Sequence, residues 1–511
     1  MALEYDLLVV GGGINGAGIA RDAAGRGLRV ILCEQHDLAQ HTSSASTKLI
    51  HGGLRYLEYY EFKLVRKALQ EREVLLRAAP HIIWPLRFVM PHDASQRPAW
   101  MIRAGLLMYD YLAKREILPA SHGLKLSEHA AGKPLKGGYR KGFVYSDGWV
   151  DDARLVALNA LDAHERGARI MTRTKCVSAR RDGDRWHAVL ESENEGRTQV
   201  LEVQARAIVN AAGPWAARFA DAVPGAKKSY NLRLIKGSHI VVKRLFDHPY
   251  AYIFQNPDKR IIFAIPYQDD FTLIGTTDLE YHGDAGRVEI SSEEVAYLCE
   301  MANRYFTRQI STADVVWTYS GVRPLLDDSA ENASAITRDY LLECDAAGAP
   351  LLNVWGGKIT TYRKLAEEAL AMLSEGLGVQ DRPWTDGAPL PGGDLQQPGK
   401  LVARYDFDGF LQEFCRRHPW LPADLARRYA RNYGARADRL IGSAASLAEL
   451  GEELAPGLHE AEARYLVGVE WARGADDILW RRSKLGLYCG PQHVARLEAW
   501  LAQQRASAPS A

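Results

Sequence analysis

The sequence predicts an α/β protein: a Rossmann-like dinucleotide-binding domain, a β-rich domain inserted into it, and a helical C-terminal domain. Three observations predict this. An apolar run breaks into a glycine-rich turn and then a small-residue helix at the very start. The stretch from Val241 to Thr276 becomes strand-like. A run of prolines and glycines between Arg382 and Lys400 precedes a region of mixed charge rich in Arg and Trp. The 511 residues suffice for roughly two to four domains, and 47% hydrophobic with 25% charged side chains is ordinary globular composition.

The first element is the strand Tyr5-Asp6-Leu7-Leu8-Val9-Val10, ending in Gly11-Gly12-Gly13. A helix follows over Asn15–Gly25, and a second strand, Arg29–Cys33, ends at Glu34. This is a βαβ unit with a right-handed crossover. Gly11-x-Gly13-x-x-Gly16 sits where a pyrophosphate is bound. Gly11 permits the tight turn, Gly13 lets backbone approach the phosphates, and Gly16 lets helix and strand pack closely. Glu34 stands where a carboxylate meets ribose hydroxyls and would repel a 2′-phosphate, which disfavours NADP. NAD and FAD both remain open at this point.

Further along, His51-Gly52-Gly53 leads into a helical pattern through Phe62–Leu69, and Pro80, Pro85 and Pro91 break the chain into short extended pieces. Arg260–Ile265 and Phe271–Gly275 flank the turn Tyr267-Gln268-Asp269-Asp270, a hairpin. Two segments favour FAD over NAD. Ala207–Trp215 is a buried strand running into a small-residue turn that contains Gly213. Val354–Tyr362 is a strand, a double glycine with Gly357, and a helix start. Glycines there allow a flat ring to approach backbone, and the helix N-terminus favours the anionic edge of a reduced flavin.

Lys+Arg 64 against Asp+Glu 63 leaves a net charge of +1, so no bulk field draws the chain onto nucleic acid. The six cysteines are scattered without metal-ligand spacing and read as reduced thiols of a cytosolic protein. No signal peptide and no bilayer-spanning run is expected. Arg97–Tyr109 is apolar, carries Trp and Tyr, and is flanked by cations. It suits a helix lying in a lipid interface and equally a core helix.

Longer strings carry a resemblance. They are Gly11–Gly18, Thr42–Tyr56, Trp149–Leu155, Ile235–His239, Ile274–Asp278, Tyr319–Leu325, Ile336–Tyr340 and Gly356–Lys364. Together they resemble the aerobic, membrane-associated FAD-dependent glycerol-3-phosphate dehydrogenases of bacteria, over most of the chain to about Leu390. The resemblance implies FAD, with Ser43, Ser44, Gly213, Gly357, Thr360 and Thr361 joining Gly11, Gly13, Gly16 and Glu34 around it. It implies oxidation of sn-glycerol 3-phosphate to dihydroxyacetone phosphate, with hydride passing from C2 to flavin N5 and electrons passing on to a membrane quinone. Arg323 and Arg338 would hold the phosphate, with Tyr56 adding a hydroxyl. Arg55 and Lys358 would lie nearer the reacting carbon, and His51 is the candidate base.

The implied location is the cytoplasmic side of the inner membrane, as a peripheral protein on the lipid surface; a homodimer is compatible with the family. The expected division assigns 1–80, 145–235 and 320–381 to the FAD-binding domain. It assigns 81–144 and 236–319 to a substrate and membrane-facing domain, 382–400 to a linker, and 401–511 to the helical domain. Two rival readings stand beside this one. One is an FAD-dependent amine or amino-acid oxidase, whose single arginine would hold a carboxylate. The other is a non-catalytic flavin-carrying protein.

Overall fold

The computed structural model describes residues 3–93, 96–194, 197–256, 258, 260–327, 339–380, 382–396 and 405–507. Arg338 and the end of the predicted linker, residues 397–400, lie outside them.

One sheet of eight strands carries the N-terminal unit. Its order is Tyr340–Asp345, Leu351–Gly356, Arg197–Asn210, Leu3–Val10, Val30–Cys33 and Arg169–Met171, with the hairpin Thr174–Asp182/Arg185–Asn194 attached along Arg197–Asn210. Leu3–Val10 pairs in parallel with both of its neighbours, with Leu8 opposite Ile31 on one side and Ile208 on the other. Such strands are apolar on both faces because both faces are covered. Leu7 and Val9 pack with residues of the helices Ile14–Gly25, Asp152–Glu165 and Tyr362–Leu377. Leu8, Val10 and Ile31 face Trp186, Leu190 and Val223. Helix Ile14–Gly25 is buried along most of its length, so its small residues are a packing requirement. A Cβ on Gly18 would sit 2.7 Å from the Tyr362 ring.

The second sheet has ten strands. Leu279–Glu280, Leu232–Lys243, Phe271–Gly275, Ile261–Tyr267, Ala251–Gln255, Ile83–His92, Lys141–Val150 and Leu49–Ile50 follow one another. Val315–Leu326 pairs with Leu232–Lys243, and His122–Lys125 with Lys141–Val150. The expected hairpin is present, with Tyr267 opposite Phe271; its turn takes Gln268 and Asp269 through positive φ. The helix expected after His51-Gly52-Gly53 runs over Phe62–Ala78, preceded by a 3₁₀ turn at Leu54–Tyr59.

The segment Arg97–Tyr109 forms the helix Ala99–Tyr111. It buries Leu106, Tyr109 and Asp110 but leaves Trp100 71% and Tyr111 77% exposed, with Met101, Leu107 and Met108 also open. Beside it, Tyr59, Tyr60 and Phe62 are exposed as well. Among the described residues no helix is long and apolar enough to cross a membrane.

Residues 382–396 contain no helix or strand, as their composition requires, yet they are packed. The Trp384 ring lies against Gly25, its Nε1–H donates to Asp22 O at 3.1 Å, and the Arg21 and Arg166 guanidinium groups flank it. Leu390 and Leu395 are buried. Beyond this seam, the helices Phe407–Arg417, Ala423–Tyr433, Glu460–Glu470 and Pro491–Ser507 and a π-helical turn at Asp477–Arg482 enclose their own core, centred on Phe414, Tyr429, Leu466 and Ile478.

Candidate active site

A cleft of about 330 Å³ opens at the carboxyl ends of the first sheet's strands. Gly11, Gly13, Glu34, Thr42, Ser43, Gly213 and Trp215 line it. The glycines are there for space. Gly11 has φ +112°, and a Cβ on it would lie 2.4 Å from Ala211 O; a Cβ on Gly16 would lie 1.9 Å from Gly11 O. Gly13, the N-cap of helix Ile14–Gly25, has no side chain of its own with which to bond the first turn. The helix N-terminus therefore faces the cleft as an anion site. Glu34 accepts N–H bonds from Gly12 at 2.7 Å and His36 at 2.8 Å. Burial pushes its pKa up, and these two bonds pull it back. Ser43 Oγ accepts the Ile14 N–H at 3.0 Å, whereas Ser44 Oγ turns away and donates to His41 O at 3.3 Å.

The second half of the site is the turn after strand Leu351–Gly356. Gly356 and Gly357 have φ +73° and +105°, and Gly357 lies against Asn15. Asn15 Nδ2 donates to Gly356 O at 3.1 Å, while its Oδ1 is buried with no hydrogen-bond partner among the described residues. A buried orphan acceptor at a bare-backbone turn is what a ligand bearing an N–H or O–H would satisfy. Lys358 precedes the helical turn Ile359–Thr361, and its ammonium stacks 4.1 Å from the centroid of the Tyr56 ring. Thr360 Oγ1 accepts the His51 N–H at 3.2 Å, and Thr360 and Thr361 are buried. The structure thus brings His51, Tyr56, Lys358, Thr360 and Gly357 together, from segments about 300 positions apart. Arg55 is half-buried in the same Leu54–Tyr59 turn.

Arg323 lies on the strand Val315–Leu326, which runs past this turn: the Pro324 carbonyl is 3.5 Å from where a Gly356 Cβ would be. Its guanidinium is paired with Asp278 and donates to Thr276 Oγ1 at 3.1 Å. His239 is fully buried, stacked on Tyr319 and bonded to Thr47 Oγ1 at 3.0 Å. Burial, then Arg323 and Lys48, hold it neutral. Lys236 is paired with Glu294.

Two supports escaped the sequence reading. Asn15 stands inside the quoted glycine string with no role given to it. Gly52 N–H donates to Tyr109 OH at 2.8 Å, and Tyr109 in turn bonds Asp147, which Arg72 also holds. Only the inward half of the Ala99–Tyr111 helix pattern could have pointed to that last contact.

The donor set suits FAD: backbone N–H groups for a pyrophosphate, a carboxylate for a ribose, and a glycine turn with a cation at a helix start for a flat ring. The comparisons agree. A family model described as FAD dependent oxidoreductase matches residues 6–363, and one described as the C-terminal domain of alpha-glycerophosphate oxidase matches 383–502. The chain is 55% identical to a glycerol-3-phosphate dehydrogenase of Pseudomonas aeruginosa, over 100% of this chain and 97% of the relative. It is 51% identical to the aerobic glycerol-3-phosphate dehydrogenase of Escherichia coli, over 99% of each. It is also 51% identical to a D-erythritol 1-phosphate dehydrogenase of Brucella abortus, over 97% of each. Among solved structures, a glycerol-3-phosphate dehydrogenase from Bacillus halodurans complexed with FAD superposes with TM-score 0.79 at 28% identity, covering 99% of this chain and 92% of that one. From cleft, turn and comparisons alike, the chain belongs to the FAD-dependent oxidoreductases, as a member of the aerobic glycerol-3-phosphate dehydrogenases.

Proposed function

We propose that the protein oxidises the C2 alcohol of sn-glycerol 3-phosphate to dihydroxyacetone phosphate and passes the electrons to a membrane quinone. The observation that carries this reading is the convergence of Lys358, Tyr56 and the His51 segment on the Gly356–Gly357 turn, with Arg323 on the strand beside it. Bound FAD supplies the hydride acceptor. Around it, Arg323 and Arg338 bind the phosphate, which a planar guanidinium fork matches in two bonds. Asp278 and Thr276 fix the fork of Arg323 in advance. Tyr56 adds a hydroxyl to the substrate's surroundings. His51 takes the alcohol proton on an imidazole nitrogen, Arg55 lies close to the reacting carbon, and Lys358 keeps positive charge at the helix start, where negative charge develops. The domain division given above and a homodimer belong to the same reading.

The test is anaerobic bleaching of the yellow holoenzyme. Glycerol 3-phosphate bleaches it, and sarcosine or glycine does not; faster reduction by either amine would assign the chain to the amine oxidases. The Brucella relative favours a second reading, oxidation of D-erythritol 1-phosphate. Comparing kcat/KM for the two phosphates decides between them.

We also place the protein at the cytoplasmic face of the inner membrane, held there by Trp100, Met101, Leu107, Met108 and Tyr111 with Tyr59, Tyr60 and Phe62. Their shared exposure supports this, since exposed apolar clusters mark interaction surfaces. Cosedimentation with anionic phospholipid vesicles should be lost in the Trp100→Ser/Tyr111→Ser variant; retention would refute the assignment.

A further inference from the structure

We propose that the C-terminal module is a cofactor-retention clamp: Arg482, seconded by Arg481, grips Asp37 and thereby holds closed the loop that walls the FAD cleft. These are positioning residues, and the inference needs the cofactor alone, not the substrate reading.

The loop from Glu34 to Ser43 is knitted to the phosphate-binding turn at three points. Glu34 Oε2 accepts the Gly12 N–H at 2.7 Å, Ser43 Oγ accepts the Ile14 N–H at 3.0 Å, and the Ala39 N–H donates to Gly12 O at 3.2 Å. Its geometry therefore sets that of the turn. The middle of the loop is gripped from the other side. Asp37 is fully buried and accepts Nη1 and Nη2 of Arg482 at 2.7 and 2.8 Å, Nε of Arg481 at 2.6 Å, and lies 3.1 Å from Nη1 of Arg173.

Arg482 is itself 1% exposed, and its Nε and Nη2 also donate to Glu470 O. That fixes its fork on the end of helix Glu460–Glu470. Asp477 takes Arg173 and Arg481, so two carboxylates and three guanidinium groups form one lattice, which Arg482 extends to the Glu470 carboxylate. Neighbouring residues on a regular α-helix diverge; the π-helical turn Asp477–Arg482 delivers both of its last two arginines to one carboxylate. Burial alone would raise the pKa of Asp37, but Arg482, Arg481 and Arg173 hold it well below the usual carboxylate range. An ion in that position is stable only while its partners are present.

The test measures FAD release from the full-length holoenzyme, read as recovered flavin fluorescence without substrate. Arg482→Met should raise the FAD dissociation constant about tenfold or more, because a buried carboxylate loses its bidentate partner. The control is Arg428→Met, which breaks the pair with Glu462 inside the same module, away from the cleft. It should lower thermal stability and leave FAD affinity at the wild-type value. Wild-type affinity in Arg482→Met overturns the proposal, and so does equal FAD loss in Arg428→Met, which would mean that any damage to the module has this effect. Should Arg482→Met fail to fold, Arg481→Gln decides, since Asp37 then keeps Arg482 and Arg173. Severalfold faster FAD release supports the clamp, and a wild-type rate overturns it.

Discussion

Replacing Tyr109 by phenylalanine removes one oxygen atom from beneath the His51–Gly53 segment. That oxygen donates to Asp147 at 2.8 Å and accepts the Gly52 N–H at 2.8 Å, in a side chain only 2% exposed. A bond to a charged acceptor contributes about 1.5–3 kcal/mol and a neutral one about 1 kcal/mol. Part is recovered, because Gly52 N–H already lies 3.4 Å from Asp147 Oδ1 and can close on it. Asp147 also retains Arg72 at 2.6 Å. The Tyr109–Asp147 bond does not involve the loop and survives its opening, so the loop itself loses only its Gly52 bond, about 1 kcal/mol at most, or roughly 5-fold in the equilibrium for opening it. Hydrogen exchange of a peptide spanning residues 49–54 reads this directly, and the Gly52 amide should exchange up to roughly 5-fold faster. A lowered kcat with a smaller change in KM should accompany it, since the His51 segment would hold its geometry for less of the time. Unchanged exchange at Gly52 would show that the segment is ordered by its bond to Thr360 and not by Tyr109.

Gly16→Ala forces a Cβ to within 1.9 Å of Gly11 O, so the turn must open; the purified variant should carry severalfold less FAD, seen in the ratio of visible to ultraviolet absorbance. His51→Ala should lower kcat roughly 10²–10⁴-fold if its imidazole takes the proton, and a near-normal kcat with an unchanged pH profile would pass the role to another group. Arg323→Ala should raise KM about tenfold or more with a smaller effect on kcat, because a charge-assisted phosphate contact is lost. His81 is fully buried, both of its ring nitrogens lack a hydrogen-bond partner among the described residues, and burial with Arg154, Arg431 and Arg436 holds its pKa down to about 3. Below its ordinary value of about 6.5 the unfolded chain takes up a proton that the folded one refuses, so stability falls as pH drops from there. Between pH 7.5 and 5.5 this amounts to about 1.4 kcal/mol, and His81→Leu should remove that part of the acid sensitivity in thermal melts.

The parts legible in the sequence were those written in neighbouring residues. The Gly11–Gly16 turn, the acid at Glu34, the hairpin around Gln268 and Asp269, and the double glycine before Lys358 each depend on spacing within about twenty positions. Pairing between distant strands was not legible. Nothing in Leu3–Val10 says that Arg197–Asn210 lies beside it, because any buried apolar strand would satisfy its pattern. Charge was the other blind spot. Arg72, Arg154 and Arg482 resemble surface cations in the sequence, yet they are among the largest fully buried side chains. What buries them is a carboxylate from another part of the chain, Asp147, Glu470 and Asp37 respectively. The proline- and glycine-rich seam was legible as irregular, but the seating of Trp384 on Gly25 was not, since a bare backbone advertises no partner.

Asp37 meets Arg482 across 445 positions. During synthesis the ribosome releases Asp37 long before it makes Arg481 and Arg482, so the nascent nucleotide-binding half cannot yet bury that carboxylate. If the clamp acts as proposed, flavin is retained fully only once those two residues have been made, and a chain cut short ahead of them should release its cofactor faster than the full-length one.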